Sequence, residues 1–303
     1  MPNRTMIGAC ALALAIALSG CSSAIVPAAT ATPPLPTATP NPPTPTPEPL
    51  AARVNGRPIL LADFEAEVQR YESAQTAAGT NLASLDAYQQ QVLDALIDLE
   101  LLAQAAADQG ATVSDEELSA QLDQLAADQG GSEAVGAWLA ANDYDLDSFQ
   151  RSLRRELLAQ QTVERLSDSV ADQAEQVHAR HILVGSQSEA EEILTLLSNG
   201  ADFGQLAVER SLDLSTRVGG GDLGWFPRGI LNQPAVEQAA FGLQPGEISS
   251  VVESDLGYHV IEVLERGPRQ LSDNDQRQLR QAAVESWLNN RRESASMEVL
   301  IEP

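Results

Sequence analysis

Lysine is missing from this 303-residue chain, so its 18 basic residues are all arginines, set against 43 acidic residues for a formal charge of −25. A chain this anionic repels nucleic acid and anionic headgroups, which excludes nucleic-acid binding and a polybasic membrane patch. Cysteine is almost absent as well. Cys10 and Cys21 are the only two, and both lie too near the N-terminus to staple a folded body with disulfides. A zinc site needs three or four ligands in one cluster, and the chain offers only three histidines, His178, His181 and His259, with no cysteine to join them in the folded part. No metal and no cofactor is therefore expected. "GxSxG" is also missing, and no serine is visibly paired with a base, which disfavours a serine hydrolase.

What is present begins with "MPNRTMIGACALALAIALSGCSS": one arginine, an apolar run from Met6 to Leu18, then small residues ahead of Cys21. This is the layout of a secretory signal peptide over residues 1–20, and the run is too short for a comfortable membrane span. "LSGC", Leu18 to Cys21, resembles the lipobox of bacterial lipoproteins, which implies cleavage before Cys21 and lipidation of its thiol. A plain signal peptide with an incidental cysteine is the alternative. Proline then recurs at nearly every second or third position from Val26 to Leu50. Such a chain favours the extended polyproline conformation, so residues 21–52 read as a lipidated cysteine and tether, of which the stretch from Ser22 to Leu50 could hold a folded body up to roughly 90 Å from a membrane.

Roughly 250 residues remain, enough for one large domain or two modest ones. Residues 53–174 read as an all-helical unit. Asp63 is a candidate cap for a helix carrying Phe64, Val68 and Tyr71, and a longer helix follows with Tyr88, Val92, Leu96, Leu99 and Ala103 in one stripe, ending near Gly110. Ser114 and Glu117 have capping-box spacing at the start of the next helix. From Val177 the grammar changes to short strands, helices and turns, so residues 175–267 form a compact α+β unit. Residues 268–303 return to a helix with Leu279, Ala283 and Trp287 on one face. That face needs a partner, and the helical region is the candidate.

"GGGDLGWFPRG", Gly219 to Gly229, sets five glycines and a proline around two adjacent aromatics, and reads as a turn or bulge between strands. His181 and His259 lie in strand-like segments at opposite ends of the α+β unit and can meet on neighbouring strands; the plain alternative is a pair of satisfied core histidines. In order and spacing, "HARHILV", "FGQLAVERSLD", "GGDLGWFPRG", "EQAAFGLQPGEISSVV" and "GYHVIEV" resemble a parvulin-type (PpiC, rotamase) peptidyl-prolyl isomerase domain over about 90 residues. The helical segment with "VNGRPILLADF" and the returning C-terminal helix are similar to the chaperone part of SurA/PrsA-type extracytoplasmic foldases.

The resemblance implies an α+β fold class: an all-helical SurA-like chaperone domain, a parvulin-like α+β domain with an antiparallel sheet and flanking helices, and a C-terminal helix packing back on the helical domain. It implies His181, Asp213, Ser254 and His259 as the polar residues of the site, with Leu223, Trp225, Phe226, Leu231, Val236 and Phe241 lining a proline-binding cleft. Rotation about an Xaa-Pro bond meets a barrier of about 18–20 kcal/mol from amide resonance, so an enzyme need only favour the twisted amide, with no covalent step. In "GILNQPAVEQAAF", Leu231 or Asn232 stands where the family has Met, and Val236 where it has Phe, which implies a wider pocket. Between Ile182 and Glu209 there is no cationic residue, so phosphorylated substrates are disfavoured. The expected partners are unfolded or proline-containing secreted polypeptides, met outside the cytoplasm by a protein lipid-anchored to a bacterial membrane. The rivals are a non-catalytic holdase of the same fold and a structural envelope lipoprotein.

Overall fold

The computed structural model describes residues 48–302. The signal peptide, Cys21 and most of the tether expected from the sequence lie outside the described residues.

The chain opens with a hairpin, β1 (Leu50–Val54) and β2 (Arg57–Leu60), followed by five helices: α1 (Leu61–Ala77), α2 (Tyr88–Asp108), α3 (Asp115–Gln129), α4 (Ser132–Ala141) and α5 (Leu146–Asp168). Leu93, Leu96, Ile97 and Leu101 of α2 bury against Phe64 and Val68 of α1 and against Ala51, Val54 and Ile59 of the hairpin. Ser114 and Glu117 close a capping box at α3, as their spacing predicts. Asp63 departs from expectation. It lies in the first turn of α1 and not at its cap, and its carboxylate faces Arg151 at 3.5 Å and Arg155 at 3.6 Å, joining α1 to α5.

Next comes the α+β unit: β3 (Gln173–Val184), α6 (Gln187–Ser198), α7 (Phe203–Arg210), β4 (Asp222–Pro227), α8 (Pro234–Gly242), β5 (Val252–Ser254) and β6 (Gly257–Gln270). Its sheet is antiparallel throughout, in the order β4-β3-β6-β5. Side chains alternate between faces along a strand, so each strand feeds two cores. Val177, Ala179, Ile261, Val263 and Phe226 pack with Val236, Ala240 and Phe241 of α8 on one face. Ile182, Val184 and Val260 pack with Ile193 of α6 and with Phe203 and Leu206 of α7 on the other.

The last helix, α9 (Asp273–Ser294), returns to the helical part, where Trp287 and Leu288 pack on its core and Arg292 pairs with Asp98 of α2. A final strand, β7 (Met297–Val299), then pairs with β1, giving a small antiparallel sheet of order β2-β1-β7. Helical periodicity cannot reveal this sheet. Its strands are three to five residues long and its outer pairing joins Ala52 to Val299, far apart in sequence. The glycine-rich segment also proves more regular than a turn: Gly219–Gly221 makes the turn, and Asp222–Pro227 is a strand.

Candidate active site

His181 on β3 and His259 on β6 are 6% and 1% exposed. His259 pairs with Leu183 and His181 with Ile261 in the ladder, so the two imidazoles are diagonal neighbours on one face. Their rings stack at 5.4 Å between centroids, with the two Nδ1 atoms 3.2 Å apart. On the outer side of the pair, His181 Nε2 lies 2.8 Å from Asp213 Oδ2, and Ser254 Oγ lies 2.7 Å from His259 Nε2.

This row of contacts assigns its own protons. A carboxylate can only accept, so His181 carries hydrogen on Nε2. With both rings neutral, His181 Nδ1 is then an acceptor, His259 Nδ1–H donates to it, and His259 Nε2 accepts from the Ser254 hydroxyl. Ser254 Oγ in turn accepts from the Leu256 N–H at 3.1 Å. Thr216 and Ser215 donate their hydroxyls to Asp213 at 2.6 Å each, and the Ser215 N–H adds a contact of 3.0 Å.

The electrostatics follow from these partners. Burial alone pushes the Asp213 carboxyl up, but the hydrogen bonds from Ser215, Thr216 and His181 outweigh it and hold the group well below the usual carboxylate range. Burial and the adjacent His181 push His259 down to about 4, a shift that the Asp213 charge offsets only in part. Among the described residues, no three His, Cys, Asp or Glu side chains cluster as a metal site would require.

Two glycines and a serine position these groups. Gly221 accepts the His181 N–H on its carbonyl at 2.9 Å, and a Cβ there would stand 2.1 Å from the His181 carbonyl oxygen, so any side chain would force the strands apart. A Cβ at Gly257, whose φ is +133°, would come within 2.5 Å of Val184 O; glycine thus permits the tight β5–β6 turn that brings Ser254 to His259. Ser211 Oγ, itself buried, accepts from the N–H groups of Leu183 and Asp213 and stitches the Asp213 loop to the end of β3. Ser211, Ser215 and Thr216 were not singled out by sequence. The Asp-x-Ser spacing of "SLDLST" is the signal that marks them, because an aspartate commonly accepts from the N–H two residues on.

The expected cleft residues divide into three groups. Leu223 and Leu231 are half-buried and lie over the core shared with α8, and Asn232 is exposed. Phe226, Val236 and Phe241 are 2%, 3% and 4% exposed. All three pack in the core shared with α8, with Leu223 and Leu231 lying against them. Phe241 meets Phe226 edge-on and lies under the Arg228 guanidinium. Trp225 lies apart from this cluster. It follows Leu223 by two residues and precedes Phe226, and it projects to the opposite face of the sheet, stacked on His178 and covered by Arg269 at 4.1 Å. Away from this sheet, a cleft of about 170 Å³ opens in the helical part, lined by Asp63, Arg70, Tyr144, Arg151 and Arg155 among others. There Asp63 faces Arg151 and Arg155, and Arg70 pairs with Glu67 and lies over the Tyr144 ring.

Comparison with known proteins places both parts of the chain. Residues 161–267 match the model of the PPIC-type PPIase domain, and residues 12–163 match that of the SurA-like N-terminal domain. The chain is 33% identical over 225 residues to the foldase protein PrsA of Caldanaerobacter subterraneus subsp. tengcongensis, covering 70% of this chain and 72% of that one. It is 30% identical over 247 residues to the chaperone SurA of Nitrosococcus oceani, covering 71% of this chain and 58% of that one. The crystal structure of the peptidylprolyl isomerase PrsA from Bacillus anthracis aligns with 67% of this chain and 94% of that one at 25% identity, with a TM-score of 0.43.

Proposed function

The chain belongs to the PrsA/SurA-like foldases, which join a SurA-like N-terminal domain to a PPIC-type PPIase domain, and from that premise we propose that it isomerises Xaa-Pro bonds in unfolded polypeptides outside the cytoplasm while its helical part holds them. The observation that carries the catalytic half is the row Ser254–His259–His181–Asp213, which sets a rigid polar floor beside the half-buried Leu223 and Leu231. Isomerisation needs no nucleophile. It needs a site that binds the twisted amide more tightly than the planar one, which fixed dipoles next to an apolar grip for the proline ring can supply. Asp213 and the two histidines keep those dipoles oriented, and Leu223 and Leu231 hold the ring.

The domain division that fits this activity is a helical body of residues 53–174 closed by 268–303, with the isomerase domain at 175–267. Cys21 carries the lipid and residues 22–50 the tether, so clients are met at a membrane surface. The absence of lysine and arginine between Ile182 and Glu209 supports unphosphorylated substrates. A holdase reading has its own support, since the aromatic and β-branched residues expected to grip proline are buried and two leucines remain. A proline-limited refolding assay run beside an aggregation-suppression assay separates the two: acceleration of refolding supports isomerase activity, and suppression alone supports the holdase.

A further inference from the structure

His178 lies outside the row just described, yet it is tied to the same cleft from behind. Val177 and Ala179 both point into the core under α8, so His178, between them, faces the other side of the sheet. Its Nε2 lies 2.8 Å from Asp222 Oδ1, and the same oxygen accepts the Gly224 N–H at 2.8 Å. Burial alone raises the Asp222 carboxyl, but these hydrogen bonds and the nearby Arg180 bring it below its ordinary value. Because that carboxylate can only accept, the imidazole carries its proton on Nε2. Its Nδ1 is buried and finds no partner among the described residues.

The two contacts straddle an irregularity in the strand. Ala179 pairs with Gly224 and Arg180 with Asp222, which leaves Leu223 as one extra residue, a β-bulge with Gly224 at φ +70°. The bulge decides which way Leu223 points. In a regular strand Leu223 would share a face with Trp225, two residues on; here it packs instead with the cluster of Phe226 and Val236. Asp222 closes the bulge within β4, and His178 fastens Asp222 to β3.

We infer that His178 and Asp222 are positioning residues for the proline cleft: from the face turned away from the histidine pair, the imidazole clamps the carboxylate that closes the β4 bulge and so aims Leu223 at the substrate. The inference rests on the isomerase reading for its catalytic consequence, but the aiming of Leu223 can be read without catalysis. His178→Phe keeps a ring to stack on Trp225 and deletes the Nε2 donor. It should shift the Leu223 methyl resonances in a 13C-methyl spectrum of the full chain. On an unphosphorylated Ala-Pro peptide it should raise KM roughly three- to tenfold with kcat within about twofold. His178→Gln, which returns an amide donor, and Asp222→Asn, which keeps the accepting oxygen, should both restore wild-type shifts and KM, whereas Asp222→Ala should behave as His178→Phe. Added to Leu223→Ala, His178→Phe should cost nothing further, since residues acting through one another are non-additive. Unmoved Leu223 resonances in a folded His178→Phe protein would overturn the inference whatever the activity, as would an additive loss in the double variant. If His178→Phe fails to fold, His178→Gln combined with Asp222→Ala carries the same methyl readout, and wild-type shifts there would likewise overturn it. A wild-type protein without isomerase activity that still shows the methyl shifts would instead contradict the isomerase reading alone.

Discussion

His181 and His259 meet through their Nδ1 atoms at 3.2 Å, and the Asp213 carboxylate at one end of the pair accepts from His181 Nε2–H. Chemistry and folding share this arrangement, because the groups that orient the site also link β3, β6 and the loop after α7.

Removing Asp213 leaves three side-chain donors and one backbone donor facing an empty position. A buried or half-buried donor without a partner costs about 1–3 kcal/mol. Asp213→Ala should lower the melting temperature and also reduce kcat/KM, because His181 loses the acceptor that sets its tautomer. Melting and isomerase rate measured on the same samples check this, and a folded, fully active Asp213→Ala would contradict it.

His259 gives stability a defined pH dependence. Its folded pKa is pushed down to about 4 from 6.5, so the unfolded chain takes up a proton first as pH falls. The stability gained by keeping His259 neutral is complete above about pH 6.5 and is lost as pH falls from there toward 4, on the order of 3 kcal/mol at about 1.36 kcal/mol per pKa unit. Urea midpoints measured between pH 7.5 and 4 should show this slope, and His259→Gln should flatten it.

Val236→Phe shows how depth changes an expectation drawn from sequence. Val236 is 3% exposed among Phe226, Ala240, Phe241 and Ile261, so a larger ring has no cleft to fill. Overpacking of a closed core typically costs about 1–3 kcal/mol. The substitution should lower the melting temperature without raising kcat/KM, whereas Leu223→Ala or Leu231→Ala should raise KM and leave stability nearly unchanged.

Local rules were readable from the sequence, and the rest followed from long-range pairing and burial. The Ser114–Glu117 box and the strand containing His181 depend on neighbours within a few residues and formed as expected. The meeting of His181 with His259 needed only that their two strands be adjacent. The facing of Trp225 was not legible, because one bulged residue at Leu223 breaks the alternation by which faces are assigned. Nor was the depth of Val236, since a pattern of apolar residues marks the core side of a helix without saying which positions a ligand can reach. The sheet that joins Ala52 to Val299 escaped for a third reason: its partners are far apart in sequence.

The C-terminal helix should be needed by the helical part and dispensable to the sheet of β3 to β6. Trp287 and Leu288 pack on the helical core, and Arg292 pairs with Asp98. Truncation after Gln270 should expose that core, lower its melting temperature and leave the α+β unit folded. Calorimetry of the truncated chain would show a single unshifted transition if α9 were dispensable.

Anchoring is tested at Cys21. The wild-type protein should partition into detergent with the membrane fraction and Cys21→Ser should not; a membrane-bound Cys21→Ser protein would overturn the lipid assignment.

The most direct measurement is kcat/KM for cis–trans isomerisation of an unphosphorylated Ala-Pro peptide held well below KM, wild type beside His181→Ala and Leu223→Ala, each shown to be folded by its melting curve. Wild-type protein should accelerate the isomerisation well above the spontaneous rate, and both variants should lose most of that acceleration. A folded wild-type protein that leaves the spontaneous rate unchanged, or an acceleration that neither substitution touches, would contradict an isomerase site at the paired histidines.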